Sequence, residues 1–293
     1  MLRKTILASA LLGLLAVGCK EAVPVQKPAA AAPPSIKNET LVELKIPEIK
    51  FLEGNKPLDC RLFRLRILDL GAGKKVGIHS HENRPGALSI AGGKGMTVYA
   101  YNHQPVDVPY GGSYKSYNDI VHYATNSSET EVLSIMTSDF LDDGSPCDGK
   151  TYAQHTPIAD RIKAENDPFY ANAPQTAEED EVNHEYFRTH LRDLKLPEGK
   201  APLQSRSLRV RKVTLGEGAA TGAQDFSNRP TYVMNLQGTT EVKDAKAGTA
   251  KTLQAKEAAN LTQAGQVEIR NAGSGEATYF LIELWDPNDK EIL

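Results

Sequence analysis

The 293-residue chain has no long basic run: 34 Lys and Arg stand against 37 Asp and Glu, for a formal charge of -3. That balance argues against a nucleic-acid partner. No apolar run reaches membrane length. The longest, Ile6 to Val17, holds 12 residues, or about 18 Å as a helix against a hydrocarbon core of about 30 Å. Also missing are a glycine-rich phosphate loop, the strained serine turn of a hydrolase and the paired cysteines of a zinc finger, so three common carriers of chemistry are absent. Cysteine is scarce, at 3 residues.

What is present begins with a basic start, Arg3 and Lys4, ahead of that short apolar run, which is the layout of a secretory signal over residues 1–18. Ala16-Val17-Gly18-Cys19 resembles the lipobox of bacterial lipoproteins. The resemblance implies lipidation of Cys19, a lipid anchor in a membrane of the bacterial cell envelope, and soluble domains facing the periplasm or exterior. Residues 20–36, KEAVPVQKPAAAAPPSI, carry no repeating apolar face and suit an extended tether. With Cys19 lipidated, Cys60 and Cys147 remain as an even pair in an oxidising compartment, where a disulfide is expected.

The chain contains itself twice. A constant shift of 145 residues relates Pro57 to Pro202, Arg61 to Arg206, Arg66 to Arg211 and Gly77 to Gly222. It also relates Asn83, Arg84 and Pro85 to Asn228, Arg229 and Pro230, and Asn126 to Asn271. Two copies of one domain follow. Each consists of short alternating runs such as LFRLRILDL and SLRVRKVTL, broken by Gly, Asn and Pro, which predicts an all-β antiparallel sandwich or barrel. The expected boundaries are 37–147 for the first domain, 148–197 for a partly helical connector and 198–293 for the second. Within the connector, Thr176 and Glu179 form a capping-box-like start and predict a helix through Leu194.

The first copy reads GIHSHENRPGALSIAGG from Gly77. On a strand, His79 and His81 point to one face, either as a polar pair on a wet surface or as two ligands awaiting a third. His122, in DIVHYATN on a later strand, is the candidate third. The pattern GxHxH, a strand ending in glycine, and a later glycine with His122 followed by Asn126 resembles the two motifs of the cupin superfamily. The resemblance covers both copies and implies two jelly-roll-type barrels with one divalent transition metal, Fe, Zn, Mn, Ni or Cu, on His79, His81 and His122. The Glu that the family usually adds is replaced at the corresponding positions by Pro85 and Gly86, and Gly86 is expected to leave space there. Asp119 is the candidate partner behind His122. Glu82 follows His81 directly and points the other way.

In the second copy the three histidine positions hold Gln224, Phe226 and Val267, so that barrel is expected to be filled with apolar bulk and free of metal. Arg84, Asn83 and Asn126 recur without the histidines and read as turn and packing residues. His103, His155, His184 and His190 belong to no motif and read as surface residues. Three neutral imidazoles leave a divalent ion its full +2 charge and open positions, which favours water, hydroxide or a small anionic ligand. Two functions stand side by side: a metal-dependent dioxygenase, isomerase or lyase on a small molecule, as the resemblance implies, and a non-enzymatic binder of a metal or small ligand. A purely structural pair of barrels is the third. Cupins often pair through sheet edges, which leaves a homodimer open or lets the two barrels of one chain supply that contact.

Overall fold

The computed structural model describes residues 35–49, 56–117, 120–152, 162–163, 165–176 and 181–289. The expected signal, Cys19, nearly all of the tether, Asp119 and His155 lie outside them. Among the described residues the first strands in chain order are β1 (Ile36–Lys45), β2 (Leu62–Leu70), β3 (Lys75–Ser80), β4 (Gly86–Gly92), β5 (Gly95–Ala100), β6 (Val106–Pro109), β7 (Ser113–Ser116), β8 (Val121–Asn126) and β9 (Leu133–Leu141). After a one-turn helix, α1 (Pro168–Asn172), come β10 (Val182–His190), β11 (Ser207–Leu215), β12 (Ala220–Asp225), β13 (Thr231–Gln237), β14 (Thr240–Asp244), β15 (Thr249–Leu253), β16 (Ala258–Asn260), β17 (Gln266–Asn271) and β18 (Ala277–Trp285).

All pairings are antiparallel. The first barrel packs the sheet β10-β2-β9-β4-β7 on β3-β8-β5-β6, and the second packs β1-β11-β18-β13-β16 on β12-β17-β14-β15. The repeat is visible in individual bonds. Arg61 donates from Nε to Lys56 O and from Nη1 to Asn83 O and Phe140 O, and Arg206 makes the same contacts with Ala201, Asn228 and Leu284. Asn126 Nδ2 donates to the carbonyls of Leu70, Gly71 and Glu131, and Asn271 Nδ2 to those of Leu215, Gly216 and Gly275. The turn and packing roles expected of Asn126 and Asn83 hold. After Asn126 the shift falls by one, so that Leu70 opposite Leu133 corresponds to Leu215 opposite Ala277.

Alternation along β2 sorts its side chains. Phe63, Leu65 and Ile67 join Leu208, Val210, Tyr232 and Phe280 in a core between the barrels, while Leu68 and Leu70 turn into the first barrel. Arg64 and Arg66 share that inward face by the two-residue period. Tyr232 stacks on Phe63 at 4.7 Å; its hydroxyl donates to Phe63 O at 2.9 Å and accepts from Thr189 Oγ1 at 2.8 Å.

Two expectations are corrected. The helix predicted from Thr176 to Leu194 is instead strand β10, paired residue by residue with β2 from Val182 opposite Asp69 to His190 opposite Leu62. An open edge on β2 offers a row of backbone partners, and the aromatic pair Tyr186 and Phe187 packs on the inter-barrel core, which outweighs local helical tendency. The connector does contain a short helix, α1, capped by Asp167, whose side chain accepts from Phe169 N at 2.8 Å. Second, residues 37–45, expected in the first domain, pair with β11 of the second barrel. The exchange is reciprocal: β1 and β10 precede the two copies at the same distance, carry bulges at Thr40/Val42 and Glu185/Phe187, and each covers the edge of the other copy's barrel.

Cys60 and Cys147 are bonded, with Cα atoms 5.8 Å apart and a sequence separation of 87. Arg192 Nη2 lies 2.7 and 3.0 Å from the two sulfurs. No helix among the described residues is long and apolar enough to cross a membrane.

Candidate metal centre

β3 and β8 are neighbours, and their register sets His79 directly opposite His122. His81, two residues on, turns to the same side. The three rings gather with centroids 4.5 to 5.3 Å apart, and one nitrogen from each lies within 4.8 Å of the others. The histidines that the sequence singles out thus converge inside the first barrel. Glu82 is absent from the group; it is buried and accepts from Ser80 Oγ at 2.8 Å. The other His/Cys/Asp/Glu group among the described residues, Cys60, Cys147 and Asp148, has its sulfurs in the disulfide.

Each ring is oriented through Nδ1 by a backbone carbonyl: His79 by Gly77 O at 2.7 Å, His81 by Arg84 O at 3.1 Å and His122 by Ile120 O at 3.4 Å. A carbonyl only accepts, so these contacts assign the proton to Nδ1 and leave the lone pair on Nε2. The Nε2 atoms of His79 and His81 stand 3.0 Å apart. Burial is the main cause that lowers the pKa of all three, to about 4 for His122 and well below the usual histidine value for His79 and His81. His79 and His122 are further depressed by Arg84, which is the second cause after burial for His81. The rings are therefore neutral, the form in which histidine binds metals. His79 keeps a partly exposed edge, yet burial still dominates its titration.

The rings line a cavity of about 250 Å³. Leu68, Ile78, Leu88, Met96 and Ile135 form its apolar wall, and Arg66, Arg84, Thr137, Gln175 and Glu181 its polar groups. Sequence reasoning passed over these polar residues. Arg66 was legible in principle from the inward phase of β2. Gln175 and Glu181 were not, because the connector reaches the cavity through tertiary contacts, among them Ile78 N donating to Pro174 O at 2.7 Å. Arg84, expected as a turn residue, also faces the cavity. The space expected at Gly86 is not there: a Cβ on Gly86 would sit 2.7 Å from Asp139 Cα, because β4 lies against β9 at that point.

In the second barrel the corresponding positions behave as expected. Phe226 and Val267 are fully buried among Val213, Val233, Tyr279 and Leu281, and Gln224 is buried beside them.

No protein-family model matches the sequence, and no curated protein matches it. Among solved structures, an oxalate decarboxylase from Bacillus subtilis at pH 4.6 aligns with 83% of this chain and 71% of its own at 18% identity and a TM-score of 0.46. Another structure of that enzyme, described through its Mn(II) centres, covers 86% of this chain and 76% of its own at 16% identity and 0.48. A salicylate 1,2-dioxygenase from Pseudaminobacter salicylatoxidans covers 76% and 71% at 12% identity and 0.45. By its own sheet order and the facing of His79 and His122 across β3 and β8, the chain is a pair of cupin-like antiparallel β-barrels related by an internal repeat.

Proposed function

We propose that the first barrel is a mononuclear metal centre that acts on a small molecule, in a protein held by lipid to a bacterial membrane. The observation that carries the metal is the approach of the His79 and His81 Nε2 atoms to 3.0 Å. With both Nδ1 protons on backbone oxygens, two lone pairs face each other with no hydrogen between them, a repulsive arrangement that a cation makes attractive. His79, His81 and His122 would hold such a cation through their Nε2 atoms.

An ion so held supplies Lewis acidity and an acidified water. The protein holds the imidazoles neutral and oriented, surrounds the site with apolar wall and places one carboxylate, Glu181, in the same cavity. Glu181 is the group that favours catalysis over passive binding, because it sets a potential proton acceptor in the cavity that the histidines line. Its role is to take a proton from the bound molecule; Glu181→Gln should lower turnover while leaving metal content unchanged.

Metal content of protein purified without a histidine tag tests the centre. One equivalent is expected in the wild type and a loss of at least ten-fold occupancy in the His79→Ala/His122→Ala double variant; equal content in the two would remove the proposal. Membrane attachment rests on the lipobox-like segment, and Cys19→Ser should release the protein from the membrane fraction.

A further inference from the structure

The two barrels carry the same three arginines and neutralise them differently. In the second, Glu283 gathers all three: Arg209 and Arg211 on Oε1, each at 2.9 Å, and Arg229 on Oε2 at 3.1 Å. In the first, the strand register sets Asp139 opposite Arg64 as Glu283 is opposite Arg209. Asp139 is one methylene shorter. It holds Arg64 alone, accepting from Nε at 3.0 Å and from Nη2 at 2.7 Å. Arg66 turns to Thr137, donating from Nε to Oγ1 at 2.9 Å, where the second barrel has Leu281. The Arg84 side chain has no hydrogen bond or ion pair among the described residues, and both arginines line the histidine cavity.

We propose that Arg66 and Arg84 form a clamp that presents the carboxylate of a small organic acid to the metal centre. The inference rests on the reading of that cavity as the working site. Guanidinium groups match carboxylates by paired, charge-assisted N–H donors. Two such groups face one carboxylate, Glu181, so the side chains beyond the histidines leave the cavity with a net positive charge before any metal is counted. Two guanidinium groups lining one cavity with a single carboxylate are costly to keep out of water without an anionic ligand. The apolar lining, with Leu68, Leu88, Met96 and Ile135, suits a carbon skeleton rather than a hydrated inorganic ion. At about 250 Å³ the space lies near the small end of ligand sites.

The test is a calorimetric titration of the full chain, metal-loaded and metal-free, with benzoate and succinate, and with inorganic phosphate for comparison. Binding of at least one of the organic acids is expected, weakened about tenfold or more in Arg84→Met and Arg66→Met. The decisive variant is Asp139→Glu, which copies the second barrel: it should recapture the arginines and weaken binding similarly, with metal content and melting temperature retained. Undiminished binding in both Asp139→Glu and Arg84→Met overturns the clamp, as does no binding by the wild type. Phosphate bound as tightly as the organic acids overturns the organic-acid assignment. A wild type that retains no metal defeats the metal centre, while the metal-free titration still decides the clamp.

Discussion

At the scale of residues, one buried amide in each barrel has an outsized structural role. Asn126 Nδ2 bridges the ends of β2 and the turn after β8 through three carbonyls at 2.8 to 3.3 Å. Removing it leaves buried acceptors without partners, so Asn126→Ala should lower stability by about 3 kcal/mol in denaturant unfolding. Asn271→Ala should cost a similar amount. The histidines give a second prediction at this scale. Their folded pKa values lie below that of an unfolded histidine, so between those values the unfolded chain binds more protons and stability rises with pH. Metal-free protein should therefore lose stability as pH falls from about 6.5 towards 4, and His122 alone accounts for about 3 kcal/mol of that loss. Replacing His122 with Gln should flatten that dependence in urea titrations; an unchanged slope would contradict the buried neutral state.

At the scale of elements, edges decide more than propensity. Strand β10 was misread as a helix because a charged, aromatic-containing stretch with a capping signal suits either structure, and nothing local marks the vacant edge of β2. Its two aromatic residues, Tyr186 and Phe187, contact the inter-barrel core, whereas Val182 is exposed. Amide exchange separates the alternatives: alternate amides of 182–190 should be protected together with those of β2, not in a continuous helical block. The exchange of β1 and β10 was equally hidden. Their equivalence shows in the bulge positions, while of their residues only Asn38 and Asn183 are shared, since burial constrains only one face of an edge strand. The histidine pair was legible because a metal centre needs specific side chains at a spacing of two, a requirement written directly into the sequence.

On the scale of the whole molecule, the two barrels share one apolar core and exchange strands, so they should unfold together. Trp285, the single tryptophan, lies in the second barrel, whereas the histidine cavity lies in the first. Tryptophan fluorescence and loss of bound metal should then report coincident transitions. Deleting residues 36–45 should expose β11 and shift the fluorescence transition to lower temperature, even though that segment precedes the first copy. The disulfide closes a loop of 87 residues, for which chain entropy sets a stabilisation of about 4 to 5 kcal/mol. The Cys60→Ser/Cys147→Ser variant should melt correspondingly earlier, and its lowered melting point should be unaffected by reductant.

The sequence by itself determined the doubling, the all-β class, the three converging histidines and the apolar filling of the second barrel, because each is carried by residue type at fixed spacing. Only the tertiary structure decided which strand covers which edge, that Gly86 is packed against β9, and that Arg66, Arg84 and Glu181 share the histidine cavity. Those outcomes depend on which surfaces of distant segments meet. A one-methylene difference between Asp139 and Glu283 acquires meaning only when the arginines within its reach are known.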